Sequence, residues 1–176
     1  MARAGLTGVL LVGGASSRFG SPKALAQFGG ETLAERGWRT LGEACGHRLA
    51  VGKAAEGLVL PFPVLDDESD VQAPIVGLAA GLRAAPTDLC VVLPVDCPFV
   101  TAALLVELAD ACRDAARTQR GPLPGAYRRR VLPALERGEL AIHRAIAELD
   151  VAVVEADPAL LANVNTPEEL AALKER

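Results

Sequence analysis

The chain has 176 residues, 51% of them hydrophobic and 23% charged, with a formal net charge of −4. That length suits one domain with a core of its own, so a single unit over residues 1–176 is expected. The acidic balance argues against a broad nucleic-acid surface, and no apolar run approaches the ~20 residues of a membrane span.

Residues 6–12 form an apolar run interrupted only by Thr7 and Gly8, the pattern of a strand buried on both faces. Gly13 and Gly14 end it, and their lack of side chains lets a ligand approach the backbone N–H groups. Arg18 and Lys23 then bring two cations to the same segment. Strand end, small residues and fixed positive charge together suit a polyphosphate better than a plain surface turn. Two common phosphate loops fail on spacing. A Walker A loop needs Gly-Lys-Ser/Thr leading into a helix, and here Ser21-Pro22 separates Gly20 from Lys23. The G-x-G-x-x-G fingerprint of dinucleotide-binding dehydrogenases does not fit Gly13-Gly14 followed by Gly20.

Further along, Thr32 and Glu35 have the spacing of a capping box and predict a helix to residue 44, weakened by Gly37 and Gly42. Residues 47–51 read as a strand, 52–56 as a loop, and 61–65 as extended chain running into the acidic cluster Asp66, Asp67, Glu68 and Asp70. A helix is expected over 74–84 and a central strand over 89–93. Thr101 caps a helix expected to run to about residue 116. Residues 117–130 give no clear period because prolines and glycines interrupt them, and Arg128-Arg129-Arg130 reads as a solvated face. Short helical pieces are expected at 132–137 and 140–149, and a strand at 151–155. A last helix, from Thr166-Pro167-Glu168-Glu169 to about residue 174, carries a second capping box. Strands alternating with helices predict an α/β fold around a mostly parallel sheet, with ligands beyond the strands' carboxyl ends.

A second part of a site follows from that rule. Asp96 lies just past the 89–93 strand, between Pro94 and Pro98. Magnesium takes one or two carboxylates plus substrate phosphates, so Asp96 facing a bound triphosphate is a candidate ligand. The competing role is a turn aspartate ahead of the Thr101 helix. No histidine is well placed for catalysis. The cysteines Cys45, Cys90, Cys97 and Cys112 contain no C-x-x-C pair, which disfavours a zinc site and suits a reducing cytoplasm. The first strand is expected so near the start that no signal peptide fits before it.

The run Leu11-Val12-Gly13-Gly14-Ala15-Ser16-Ser17-Arg18-Phe19-Gly20-Ser21-Pro22-Lys23 resembles the L-x-G-G-x-S-x-R-x-G-x-x-K signature of nucleotidyltransferases, most closely the molybdenum cofactor guanylyltransferase (MobA) family. Val95-Asp96-Cys97-Pro98-Phe99 is similar to that family's x-D-x-P-[FY] motif, and Asn163-Val164-Asn165-Thr166-Pro167-Glu168-Glu169-Leu170 to its N-x-N-T-P-E-E-L ending. The resemblance implies a single-domain, three-layer, Rossmann-like nucleotidyltransferase fold. It implies Mg²⁺ on Asp96 and catalytic roles for Asp96, Lys23 and Arg18. Nucleotide contacts would come from Leu11, Val12, Gly13, Gly14, Lys23, Asp96 and an acidic residue after the third strand. For that residue Asp67 is the first choice and Asp66 the second, since the register is open by one. Asn163 and Asn165 would lie on the acceptor side.

The activity implied is transfer of GMP from Mg-GTP to the phosphate of molybdopterin, giving molybdopterin guanine dinucleotide and pyrophosphate. GTP and molybdopterin would be the partners, with proteins of molybdoenzyme maturation downstream. Cytidylyl transfer to the same pterin, transfer to a sugar phosphate, and a non-catalytic nucleotide binder are the alternatives. Three departures from the family pattern stand out. Val12 replaces an alanine, Val51-Gly52-Lys53 stands where an asparagine is common after the second strand, and residues 113–122 look short beside a strand-rich equivalent.

Overall fold

The apolar run before the glycines forms β1 (Arg3–Leu11) in the computed structural model, which describes residues 1–13 and 22–174. A 3₁₀ turn (Lys23–Leu25) and a small hairpin of β2 (Gln27–Phe28) and β3 (Glu31–Thr32) lead to α1 (Leu33–Ala44). The capping box is present: the Glu35 N–H donates to the Thr32 hydroxyl at 3.1 Å and the Thr32 N–H donates to the Glu35 carboxylate at 2.8 Å. Then come β4 (Cys45–Gly52), a 3₁₀ turn (Ala54–Glu56), β5 (Val64–Asp66), α2 (Pro74–Ala84) and β6 (Leu89–Pro94). The second half holds α3 (Ala102–Ala111), β7 (Ala115–Thr118), β8 (Gly121–Arg128), α4 (Leu132–Leu135), α5 (Ile142–Ala145), β9 (Val151–Val154) and α6 (Pro167–Lys174).

Seven strands make one sheet in the order β5-β4-β1-β6-β8-β7-β9. Only β8 runs against its neighbours, pairing antiparallel with β6 and β7. The expected mostly parallel α/β architecture is what the chain adopts. Alternation along the inner strands splits the core in two. Leu6 and Leu10 of β1, with Val91 and Leu93 of β6, pack against α1, α3 and α6. Val9 and Leu11, with Cys90 and Val92, pack against α2, α4 and α5. The result is three layers, helices on both faces of the sheet.

Gly37 looks like a weakness in α1 when read alone. A Cβ there would sit 2.6 Å from Leu10 Cδ1, so its absence is what lets α1 lie close on β1.

Two expectations are corrected. The helix after Thr101 ends at Ala111, and Ala115 and Ala116, expected to be helical, are buried in β7. Alanine favours helix locally, but pairing with β8 and β9 on either side overrides that preference. The unreadable stretch contains β8, an eight-residue strand that holds Pro122 and Pro124. Its ladder with β6 begins only at Gly125, so both prolines lie beyond the part that must donate to β6. The helical pieces near 132–137 and 140–149 shrink to single turns.

The arginine triplet is not simply a solvated face. Arg128 pairs with Asp88 at 2.9 Å, Arg130 with Asp114 at 2.6 Å, and Arg129 donates to the Thr87 carbonyl at 3.2 Å. These residues stitch the loops at the strand starts of β6 and β7.

Candidate active site

β1, β4, β5 and β6 are mutually parallel, so their carboxyl ends share one rim, with Leu11 opposite both Val51 and Pro94. Backbone pairing carries on past the strands. Val12 N–H donates to the Val51 carbonyl at 2.9 Å, Val95 N–H to Leu11 at 3.0 Å and Asp67 N–H to Gly52 at 2.9 Å. These bonds hold four loop starts side by side. Above them opens a cavity of about 370 Å³ whose wall includes Leu11, Val12, Gly13, Lys23, Lys53, Asp67, Asp96, Cys97 and Asn163. It lies where β4 is added on one side of β1 and β6 on the other, the switch point at which open α/β sheets bind ligands. A Cβ at Gly13 would stand 3.2 Å from Gly52 Cα, so any side chain there would push the β4 loop outward by a few tenths of an ångström.

Lys23 opens its 3₁₀ turn with its side chain 18% exposed. Its Nζ lies 3.5 Å from Asp96 Oδ2 and 3.4 Å from Asn165 Oδ1. Asp96 is held from several sides. Its carbonyl accepts from Val164 N–H at 2.8 Å, and the next N–H, that of Cys97, donates to Pro94 at 3.2 Å. The Cys97 thiol lies 3.5 Å from Asp96 Oδ1 and 3.3 Å from Asn163 Oδ1. Burial, then the Asp96 charge, pushes that thiol far above the usual range, so it stays a neutral donor. Beyond it, Arg36 Nε donates to the Pro98 carbonyl at 2.6 Å, and Phe99 packs edge-on against Phe28 with centroids 5.6 Å apart.

The C-terminal motif reaches the same place. Thr166 caps α6 by accepting from the Glu169 N–H at 3.1 Å. The Glu169 carboxylate reaches back one residue further than an ordinary capping box, to the Asn165 N–H at 2.6 Å. Helix-start chemistry therefore also places the asparagine beside Lys23.

At the other end of the cavity, Lys53 Nζ lies 3.0 Å from both oxygens of Asp67 and also donates to the Ser69 carbonyl at 2.5 Å. The two side chains are only 10% and 7% exposed. Asp66 turns away and accepts from the Ala54 N–H at 3.1 Å. Of the two aspartates left open by register, Asp67 is the one in the cavity wall. Between the two ends, α2 starts on the cavity at Ala73 and Pro74 with no side-chain cap, so the positive end of its dipole faces inward.

Leu11, Val12, Gly13, Lys23, Asp67, Asp96 and Asn163 thus meet in one cavity, with Asn165 touching Lys23 at its edge. Gly14 and Arg18 lie outside the described residues. Sequence reasoning missed Lys53, Cys97, Arg36 and Leu123, the last of which lines the wall from β8. Lys53 could have been found by the strand-end rule that found Asp96. Arg36 carries no local signal, because its partner is a carbonyl 62 positions away.

Among the described residues, no group of three or more His, Cys, Asp or Glu side chains could hold a metal ion unaided. A single hard carboxylate on a polar rim still fits Mg²⁺ that arrives with phosphate and water ligands.

A family model described as the MobA-like NTP transferase domain matches residues 8–160. The chain belongs to that family. The probable molybdenum cofactor guanylyltransferase of Deinococcus radiodurans is 34% identical over 97% of this chain and 95% of its own length. The molybdenum cofactor guanylyltransferase of Ralstonia nicotianae is 31% identical, with 97% of each chain covered. The crystal structure of molybdopterin-guanine dinucleotide biosynthesis protein A from Archaeoglobus fulgidus superposes with a TM-score of 0.81 at 26% identity, covering 96% of this chain and 97% of that one. This MobA-like protein is therefore a nucleotidyltransferase built on a Rossmann-like three-layer fold. No helix among its described residues is long and apolar enough to cross a membrane.

Proposed function

We propose that this nucleotidyltransferase transfers GMP from GTP to the terminal phosphate of molybdopterin, releasing pyrophosphate. The observation that carries the reading is the convergence of Lys23, Asp96 and the two asparagines, Asn163 and Asn165, on one edge of the cavity. The names of the relatives supply the acceptor and the base.

In this reading the molybdopterin phosphate, already anionic, attacks the α-phosphorus of GTP. A new P–O bond forms, the bond to the bridging oxygen breaks, and pyrophosphate leaves with the electron pair. No general base is needed, and neither His47 nor His143 lines the cavity. The demand on the protein is positioning and charge neutralisation. Lys23 offsets charge on the phosphates, and the N–H groups at the end of β1 and the start of α2 orient them. Asp96 is the residue that would hold Mg²⁺, which when bound neutralises substrate oxygens. Asn163 and Asn165 present amide groups to the acceptor. The chain works as one domain, and its four buried, unpaired thiols suit the cytoplasm.

The test is a turnover assay with molybdopterin, Mg²⁺ and each of GTP and CTP. The expected result is molybdopterin guanine dinucleotide and pyrophosphate in equal amounts with GTP alone. Product with CTP in place of GTP would change the base, and product with neither would overturn the acceptor.

A further inference from the structure

The hydrogen bonds of the Lys53–Asp67 pair decide what that end of the cavity can still recognise. An ammonium has three protons, and Lys53 Nζ has three acceptors: Asp67 Oδ1 and Oδ2, each at 3.0 Å, and the Ser69 carbonyl at 2.5 Å. Lys53 has no donor left for a ligand. Asp67 Oδ1 accepts from Lys53 and also from the Ser69 N–H at 3.1 Å, which uses both of its lone pairs. Among the described residues, Oδ2 accepts only from Lys53. Nearly all of this buried pair is satisfied internally, and one acceptor position remains on Oδ2.

Spacing puts that position at the nucleoside end. Asp67 follows β5 and Asp96 follows β6, three strand intervals away along the rim. At roughly 4.8 Å per interval the two lie about 14 Å apart, the reach of an extended nucleoside triphosphate. With phosphates at Lys23 and Asp96, the base falls against Asp67. A carboxylate with both oxygens open could accept from guanine N1–H and N2–H₂ together, but one acceptor can take only one donor. The N2 amine is the only donor by which it could tell guanine from hypoxanthine.

We propose that Lys53 is a specificity-determining positioning residue that holds Asp67 as a single-acceptor reader of the guanine N2 amine. The proposal rests on the guanylyl-transfer reading and deepens it. Without Lys53, a carboxylate almost wholly withdrawn from water is left without its counter-charge and no longer held in one orientation.

The test is calorimetric titration of the full chain with GTP and with ITP, which lacks only the N2 amine, both with Mg²⁺. The wild-type protein should bind ITP about tenfold to a hundredfold more weakly than GTP, the scale of one charge-assisted hydrogen bond. Lys53→Met should lower the ratio, because the carboxylate is no longer held with one oxygen toward the N2 amine. In steady-state pyrophosphate release with molybdopterin, the loss should fall on KM for GTP more than on kcat. Lys53→Arg, which keeps a cation beside Asp67, should recover most of the discrimination. The double variant Lys53→Met/Asp67→Asn removes both charges, so it guards against misfolding, and it should discriminate no better than Asp67→Asn alone.

Equal GTP and ITP affinity in the wild type would overturn the proposal while leaving guanylyl transfer standing. So would a Lys53→Met variant that keeps the ratio and merely melts earlier, since the pair would then be structural. A wild-type chain that binds no GTP would overturn the parent reading and this proposal together.

Discussion

Lys23 reaches two groups that the chain supplies much later, Asp96 at 3.5 Å and Asn165 at 3.4 Å. The Lys23–Asp96 pair is partly exposed, at 18% and 25%, and such pairs add at most about 1 kcal/mol to stability. Under the proposed function its value lies in the chemistry. Asp96→Ala is expected to lower turnover by roughly two to three orders of magnitude, the usual effect of losing a preorganised charge at a reacting centre. Its melting temperature should stay within about 3 °C of wild type, as a change of ~1 kcal/mol implies. Pyrophosphate release and thermal unfolding measured side by side check this, and near-normal release would remove Asp96 from the reaction. Lys23→Ala should weaken GTP binding more than GMP binding if, as proposed, its cation neutralises the outer phosphates. Equal losses for both nucleotides would place the lysine elsewhere.

At the scale of elements, the contact between α1 and β1 pits propensity against packing. Gly37→Ala gains about 1 kcal/mol of helix propensity in an isolated helix. In the folded chain the new Cβ would meet Leu10 Cδ1 at 2.6 Å, with Leu93 Cδ2 at 3.7 Å behind it. Overpacking a core commonly costs about 1–3 kcal/mol, so packing should win. The expected outcome is a net loss, read as a lower urea midpoint with an unchanged m-value. A higher midpoint would mean that α1 can lift from the sheet at little cost. The same competition explains β7: Ala115 and Ala116 prefer helix locally, yet strands on both sides claim them. Elements whose evidence is local, such as α1 with its capping box or the apolar runs of β1 and β6, were legible in the sequence. Elements that exist because neighbours pair with them were not.

For the molecule as a whole, the cavity's walls come from loops after β1, β4, β5 and β6 and from the segment before α6. A ligand that bridges those loops should stabilise the entire fold. GTP with Mg²⁺ at a hundred times its dissociation constant adds about 2.7 kcal/mol. For a chain of this size that is a rise in melting temperature of roughly 5–10 °C. The rise should appear with GTP, be smaller with CTP, UTP and ATP, and shrink in Asp96→Ala. No rise with any nucleotide would argue against a preformed site.

By itself the sequence determined the α/β class, the parallel strands around β1, and the residue types that meet on the cavity rim. Those features rest on local apolar runs, on caps, and on motifs a few residues long, which neighbouring residues can signal. It also carried Asp96, which stands just past a strand end with its own signal, whereas the two asparagines were legible only through the family resemblance. Only the tertiary structure decided which aspartate, Asp66 or Asp67, enters the cavity, and that Asp67 comes already tied to Lys53. The same is true of Arg36 at Pro98, of the thiol between Asp96 and Asn163, and of β8 with its two prolines. In each case the deciding partner is distant in the chain. Which charges and N–H groups meet there depends on how the strands are ordered in the sheet, which no local pattern encodes.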